Sequence, residues 1–151
     1  EGYGVNGRET VELRVAPNPG IEPAPLRDAA SGGELSRVML ALSGLGQAGS
    51  AGTLVFDEID AGIGGNTARV VGERLKALGE GQQVLCITHL PQVASLADVH
   101  FRLEKDVAGE QAEATVERLS GESVVAEISR MLGGDGTEAA DRHARQLLAA
   151  A

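Results

Sequence analysis

Cysteine, lysine and aromatic residues are scarce in this sequence, and each shortage removes a class of function. A single cysteine, Cys86, excludes a disulfide framework and fits a reducing compartment. Tyr3, Phe56 and Phe101 are the only aromatics, so base-stacking platforms of the single-strand-binding kind are absent. Basic charge is also thin: 13 Lys+Arg stand against 22 Asp+Glu, for a net charge of −9. Lys76 and Lys105 are the whole lysine complement and the arginines are scattered, so this segment by itself is a poor nucleic-acid binder. No run approaches the ~18 apolar residues of a membrane span, and the acidic, polar start does not read as a secretory leader. What remains, 151 residues at 42% hydrophobic and 23% charged, describes one soluble intracellular domain over 1–151. Glycine is the excess, with 21 residues.

Periodicity assigns the elements. Thr10 to Val15 alternates as a strand, and Pro17, Pro19, Pro23 and Pro25 then forbid regular structure up to about Leu26. A helix follows Ser31-Gly32-Gly33, with Leu35, Val38, Met39, Leu42 and Leu45 at helical spacing and Gly44, Gly46 and Gly49 ending it. Thr53 to Phe56 is a buried-type strand that stops at Asp57-Glu58. Asn66 is the expected N-cap of a helix over Thr67 to Leu78. Gln83 to Thr88 is a second buried strand, followed by His89-Leu90-Pro91 and a short helical stretch to Leu96. Phe101 to Glu104 and Ala114 to Leu119 alternate like paired edge strands. Helices over Ser123 to Leu132 and Thr137 to Ala150 flank Gly133-Gly134. Two aliphatic strands separated by a helix predict an α/β fold with a mainly parallel sheet flanked by helices. Ligands bind such sheets beyond the carboxyl ends of the strands, so chemistry is expected at Asp57-Glu58 and Thr88-His89.

The residues there suit a phosphate. An apolar strand delivering two adjacent carboxylates can hold Mg²⁺ through Asp57 and polarise an attacking water through Glu58. A strand ending in an acidic turn is the plainer alternative. Ser31-Gly32-Gly33-Glu34 lets backbone approach a ligand closely at a helix N-terminus, where unpaired N–H groups favour an anion. An ordinary serine-capped helix start would look the same. A lone histidine such as His89 is usually structural. Zinc is rejected, because a strand points Cys86 and His89 to opposite faces and no second ligand pair exists.

Taken in order, these segments resemble the motifs of ABC-type ATPases. Ser31-Gly32-Gly33-Glu34 is similar to the signature loop and Leu54-Val55-Phe56-Asp57-Glu58 to the Walker B segment. Ile59-Asp60-Ala61-Gly62 is similar to the D-loop and Thr88-His89 to the switch histidine. Three longer stretches, 30–37, 56–65 and 87–94, together with 118–122 and 128–134, resemble the RecN family of bacterial SMC-like proteins of DNA double-strand-break repair. Glu34 and Ala30 depart from the transporter pattern of Gln and Leu. The resemblance implies the C-terminal lobe of a split ATPase head. No Gly-x-x-x-x-Gly-Lys-Ser/Thr loop occurs here, nor any coiled-coil heptad array; both are expected in other segments, the Walker A loop in an N-terminal lobe.

On that resemblance the cofactors are ATP and Mg²⁺, with Asp57 the metal-associated carboxylate, Glu58 the general base and His89 a γ-phosphate contact. Ser31, Gly32, Gly33 and Glu34 would cap the nucleotide of a second head in a homodimer, and Asp60 would lie across that interface. The expected partners are the N-terminal lobe, the second head and, through the complete protein, DNA; no membrane is involved. The expected location is the bacterial cytoplasm, with the nucleoid. Another SMC-type head, a transporter nucleotide-binding domain, or a non-catalytic interaction lobe remain the alternatives.

Overall fold

The computed structural model describes residues 7, 11–16, 20–29, 31–44, 52–106, 113–134 and 136–151. The N-terminal strand is reduced to β1 (Arg14–Val15), which pairs antiparallel with β2 (Ala24–Pro25). Regular structure therefore reaches into the proline-rich stretch. Pro25 has no N–H to donate, but a two-residue edge pair needs none from it, and the Leu26 N–H donates to the Leu13 carbonyl at 2.8 Å. A one-turn helix, α1 (Leu26–Ala29), follows; neither it nor β2 was expected. Thr10, Pro17, Pro19, Leu45, Gly46 and Gly49 lie outside the described residues.

Helix α2 (Gly32–Ser43) starts where the sequence predicts but buries a different face. Gly33 and Leu40 are buried, while Leu35, Met39 and Leu42 are exposed. Strand β3 (Thr53–Phe56), helix α3 (Gly65–Gly79) and strand β4 (Gln83–Cys86) form a β-α-β unit in which β3 and β4 pair in parallel, Thr53 opposite Gln83 and Phe56 opposite Cys86. Asn66 is not the N-cap of α3. The helix begins two residues earlier than expected, after extended Gly64, with Gly65 at φ +54°, a conformation that suits glycine.

A short helix, α4 (Pro91–Ala94), then leads to an antiparallel hairpin of β5 (His100–Asp106) and β6 (Glu113–Leu119) and to helices α5 (Glu122–Met131) and α6 (Glu138–Ala149). Among the described residues, parallel pairing is confined to β3 and β4, and the other two sheets are antiparallel pairs.

Two apolar clusters hold these elements. Phe56, Ile59, Ala68, Val71, Leu75, Val93 and Leu40 form the first, joined by Leu54, Val84 and Cys86 from the inner face of the parallel pair. Gly72 permits the close approach of α3 to α4: a Cβ there would lie 2.6 Å from a Leu96 methyl. Leu119, Val124, Val125, Ile128 and Ala144 form the second, against which Ala94 of α4 packs. On the opposite face of the parallel pair Val55, Leu85 and Ile87 are all exposed, and no described element packs on them.

Candidate functional site

Strand β3 ends at Asp57-Glu58 and the neighbouring β4 leads to Thr88-His89, so the two groups emerge at the same edge of the parallel pair. The pairing extends one step beyond the strands, because the Ile87 N–H donates to the Phe56 carbonyl at 2.9 Å. Asp57 and Glu58 are both exposed. Glu58 adopts φ +55°, alone among described non-glycine residues in having positive φ, a backbone state of the kind that collects at functional turns.

The N-terminus of α2 meets this edge. Ser31 and Glu34 form a capping box: the Ser31 N–H donates to Glu34 Oε2 at 2.8 Å, and the Glu34 N–H donates to Ser31 Oγ at 3.4 Å. The Ser31 backbone N–H, the Ser31 hydroxyl and, more weakly, the Arg37 charge outweigh desolvation and hold the Glu34 carboxyl below the usual range. Both glycines are pressed on the acidic turn. A Cβ at Gly33 would lie 2.7 Å from the Glu58 carbonyl oxygen and 2.8 Å from Ala61 Cβ, and one at Gly32 would lie 3.0 Å from Glu58 Oε2.

Two residues that the sequence reading left without a role tie α2 to the same turn. Ser36 donates its hydroxyl to the Asp57 carbonyl at 2.9 Å. Arg37 Nη1 donates to the carbonyls of Ile59 and Ala61 at 3.1 and 3.0 Å. The signal was available: Arg37 stands four residues after Gly33, on the same side of the helix.

Asp60 is 3% exposed and is turned into the chain. Its Oδ2 accepts from the Thr88 hydroxyl at 2.5 Å and from the His89 N–H at 2.9 Å, and lies 3.0 Å from His89 Nδ1. Burial pushes the Asp60 carboxyl up, yet the Thr88 and His89 donors and the His89 ring outweigh it, and the group sits below its ordinary value. The His89 side chain itself is 73% exposed. Behind them, burial first and then the Asp60 and Asp57 charges push the Cys86 thiol up to about 11.

The donor types at the strand end fit a magnesium ion. No group of three or more potential ligands occurs among the described residues, and Mg²⁺ commonly takes one or two carboxylates and fills its sphere with water and phosphate oxygens. Asp57 and Glu58 are the two carboxylates at the strand end.

No family model matches the sequence. Individual relatives do. DNA repair protein RecN of Treponema pallidum is 48% identical over 149 residues, covering 97% of this chain and 26% of that protein. RecN of Deinococcus radiodurans is 50% identical over 143 residues, 95% of this chain and 25% of the relative. This chain belongs to the RecN family. The match falls on a C-terminal part of those proteins, and the chain spans about a quarter of their length. RecN of Streptomyces coelicolor repeats the pattern, at 47% identity over 97% of this chain and 26% of its own. A solved structure from work on ATP-driven dimerization and DNA-stimulated activation of SMC ATPases aligns at a TM-score of 0.55 and 17% identity, over 82% of this chain and 74% of that one. At that identity the likeness is one of fold. The chain thus has an SMC ATPase-like fold, and among its described residues no helix is long and apolar enough to cross a membrane.

Proposed function

We propose that this chain is the C-terminal lobe of a split, SMC-like ATPase head in a RecN-type DNA repair protein. It would supply the signature loop, Walker B, D-loop and switch histidine to a site completed by an N-terminal Walker A lobe. The observation that carries this reading is the convergence of Asp57-Glu58, His89 and the N-terminus of α2 at one edge of the β3–β4 pair.

In this reading Asp57 would hold Mg²⁺, which would supply positive charge against the phosphates, and Glu58 would take the proton from the attacking water. His89 meets the terminal phosphate. Ser31, Gly32 and Gly33 offer the hydroxyl and the free N–H groups of the α2 N-terminus to the nucleotide of a second head, so ATP closes a head–head dimer and hydrolysis opens it. Glu34 keeps that turn in shape through the capping box. The net charge of −9 leaves DNA contact to other parts of the complete protein, acting in the cytoplasm on double-strand breaks.

The test is Mg²⁺-dependent ATP hydrolysis by this chain mixed with the Walker A-containing lobe, against each piece alone. Activity is expected only in the mixture. Glu58→Gln should leave ATP binding intact and slow turnover by about 10²–10⁴-fold, the effect of losing a general base. Turnover by this chain alone would place the phosphate site elsewhere, and none in a folded, associated mixture would favour a non-catalytic interaction lobe.

A further inference from the structure

Asp60 lies in a segment whose resemblance implies a contact across the dimer, yet its carboxylate is buried and engaged within its own chain. Three groups converge on a single oxygen, Oδ2: the Thr88 hydroxyl, the His89 backbone N–H and His89 Nδ1. Thr88 is in turn fixed by accepting from the Leu90 N–H at 3.0 Å. An ionised carboxylate can only accept, so the ring nitrogen facing it must carry a proton. The ring is therefore anchored at Nδ1 while most of the side chain stands in solvent, 73% exposed. That combination is unlike a surface histidine held by nothing, and unlike a core histidine with both nitrogens satisfied.

We infer that Asp60 is a positioning residue for His89. It clamps Nδ1–H, fixes the direction of the ring, and leaves Nε2 as the one ring nitrogen facing the strand edge, where it donates to a phosphate oxygen once the ring has taken a second proton from solvent and stands as an imidazolium paired with Asp60. Thr88 belongs to the clamp because its hydroxyl holds the same carboxylate oxygen. Asp60 then acts on the nucleotide bound to its own head, through His89, instead of reaching the opposite head. The inference rests on the phosphate-site reading of His89.

Two readouts test it in the complete protein. In ¹⁵N-histidine-labelled protein, with the His89 signals identified by their loss in His89→Ala, the wild-type ring should be Nδ1-protonated without nucleotide. Asp60→Ala should release it to the Nε2–H form that free neutral imidazole prefers. Asp60→Asn, which keeps the side-chain shape, is the second variant should the alanine protein fail to fold; it should weaken the Nδ1–H bond and show a mixture of the two forms. In ATPase assays Asp60→Asn should lower kcat by about 10–100-fold with little change in KM, the range for losing a partner that orients a histidine. In a His89→Ala background the same substitution should cost nothing further.

An Nδ1-protonated ring that survives both substitutions, or losses that multiply in the double variant, would overturn the role of Asp60 alone. Wild-type turnover in His89→Ala would overturn the phosphate-contact reading itself, and the inference with it.

Discussion

Cys86 is a reporter for the carboxylates around it. Its thiol faces the first apolar cluster, and burial together with Asp60 and Asp57 pushes its pKa from 9.0 to about 11. Only the thiolate attacks an alkylating reagent, so at neutral pH Cys86 should react about 100-fold more slowly than an unperturbed thiol. Asp60→Asn should speed the reaction by removing one of the two charges; an unchanged or slower rate would show that Asp60 does not face the thiol. Asp60 also makes stability depend on pH. Its folded-state pKa lies below the ordinary 3.8, so in that window the unfolded chain binds more protons than the folded one. The stabilisation is complete above the ordinary value and is lost as pH falls through the lower folded value. Melting temperature should therefore drop on acidification below about pH 4 in the wild type, and drop less steeply in Asp60→Asn.

At the scale of the element, α2 is held by contacts that hydrophobic periodicity does not register. Gly33→Ala would drive a methyl group to 2.7 Å from the Glu58 carbonyl, and neither that backbone nor Ala61 can yield without moving the turn. The expected cost is about 1–3 kcal/mol, read as a lower melting temperature, the usual size for forcing a methyl group into a packed contact. A melt equal to wild type would mean that α2 stands clear of the turn. Arg37→Ala should cost a similar amount by leaving two carbonyls without their charged donor. Helices α3, α5 and α6 were legible because their own chain buries their apolar side, and strands β3 and β4 because it buries one side of each; the β5–β6 hairpin was legible from its alternation, although Phe101, Leu103 and Val116 stand exposed. The α2 face was not. Leu35, Met39 and Leu42 follow the helical period, but the side that packs carries Gly33, Ser36, Arg37 and Leu40, chosen by a glycine contact and by polar bonds to backbone. The site residues were legible as a motif set, whereas the Asp60–Thr88–His89 clamp needed the register of β3 on β4 to bring residues 28 and 29 positions apart into contact.

At the scale of the whole molecule, the described residues cover the parallel pair on one side alone. α3 packs on the Phe56 and Cys86 side, while Val55, Leu85 and Ile87 stand 60%, 47% and 56% exposed on the other. A parallel pair is normally buried on both faces, because its crossovers place helices there. Three aliphatic side chains on one exposed face also form the kind of surface that marks an interaction site. Completing their burial is worth about 1 kcal/mol each, roughly half the value of burying such a side chain from full exposure. If the N-terminal lobe of the proposed head supplies that cover, Val55→Lys or Ile87→Lys should weaken lobe association by about tenfold or more, since a lysine at a buried face loses that gain and must be desolvated. The circular dichroism of the chain should not change, because neither side chain belongs to the first apolar cluster. Titration calorimetry with the Walker A-containing lobe reads the affinity directly. Wild-type affinity in both variants would move the lobe contact off this face, and the exposed Leu35, Met39 and Leu42 stripe of α2 would be the next surface to test.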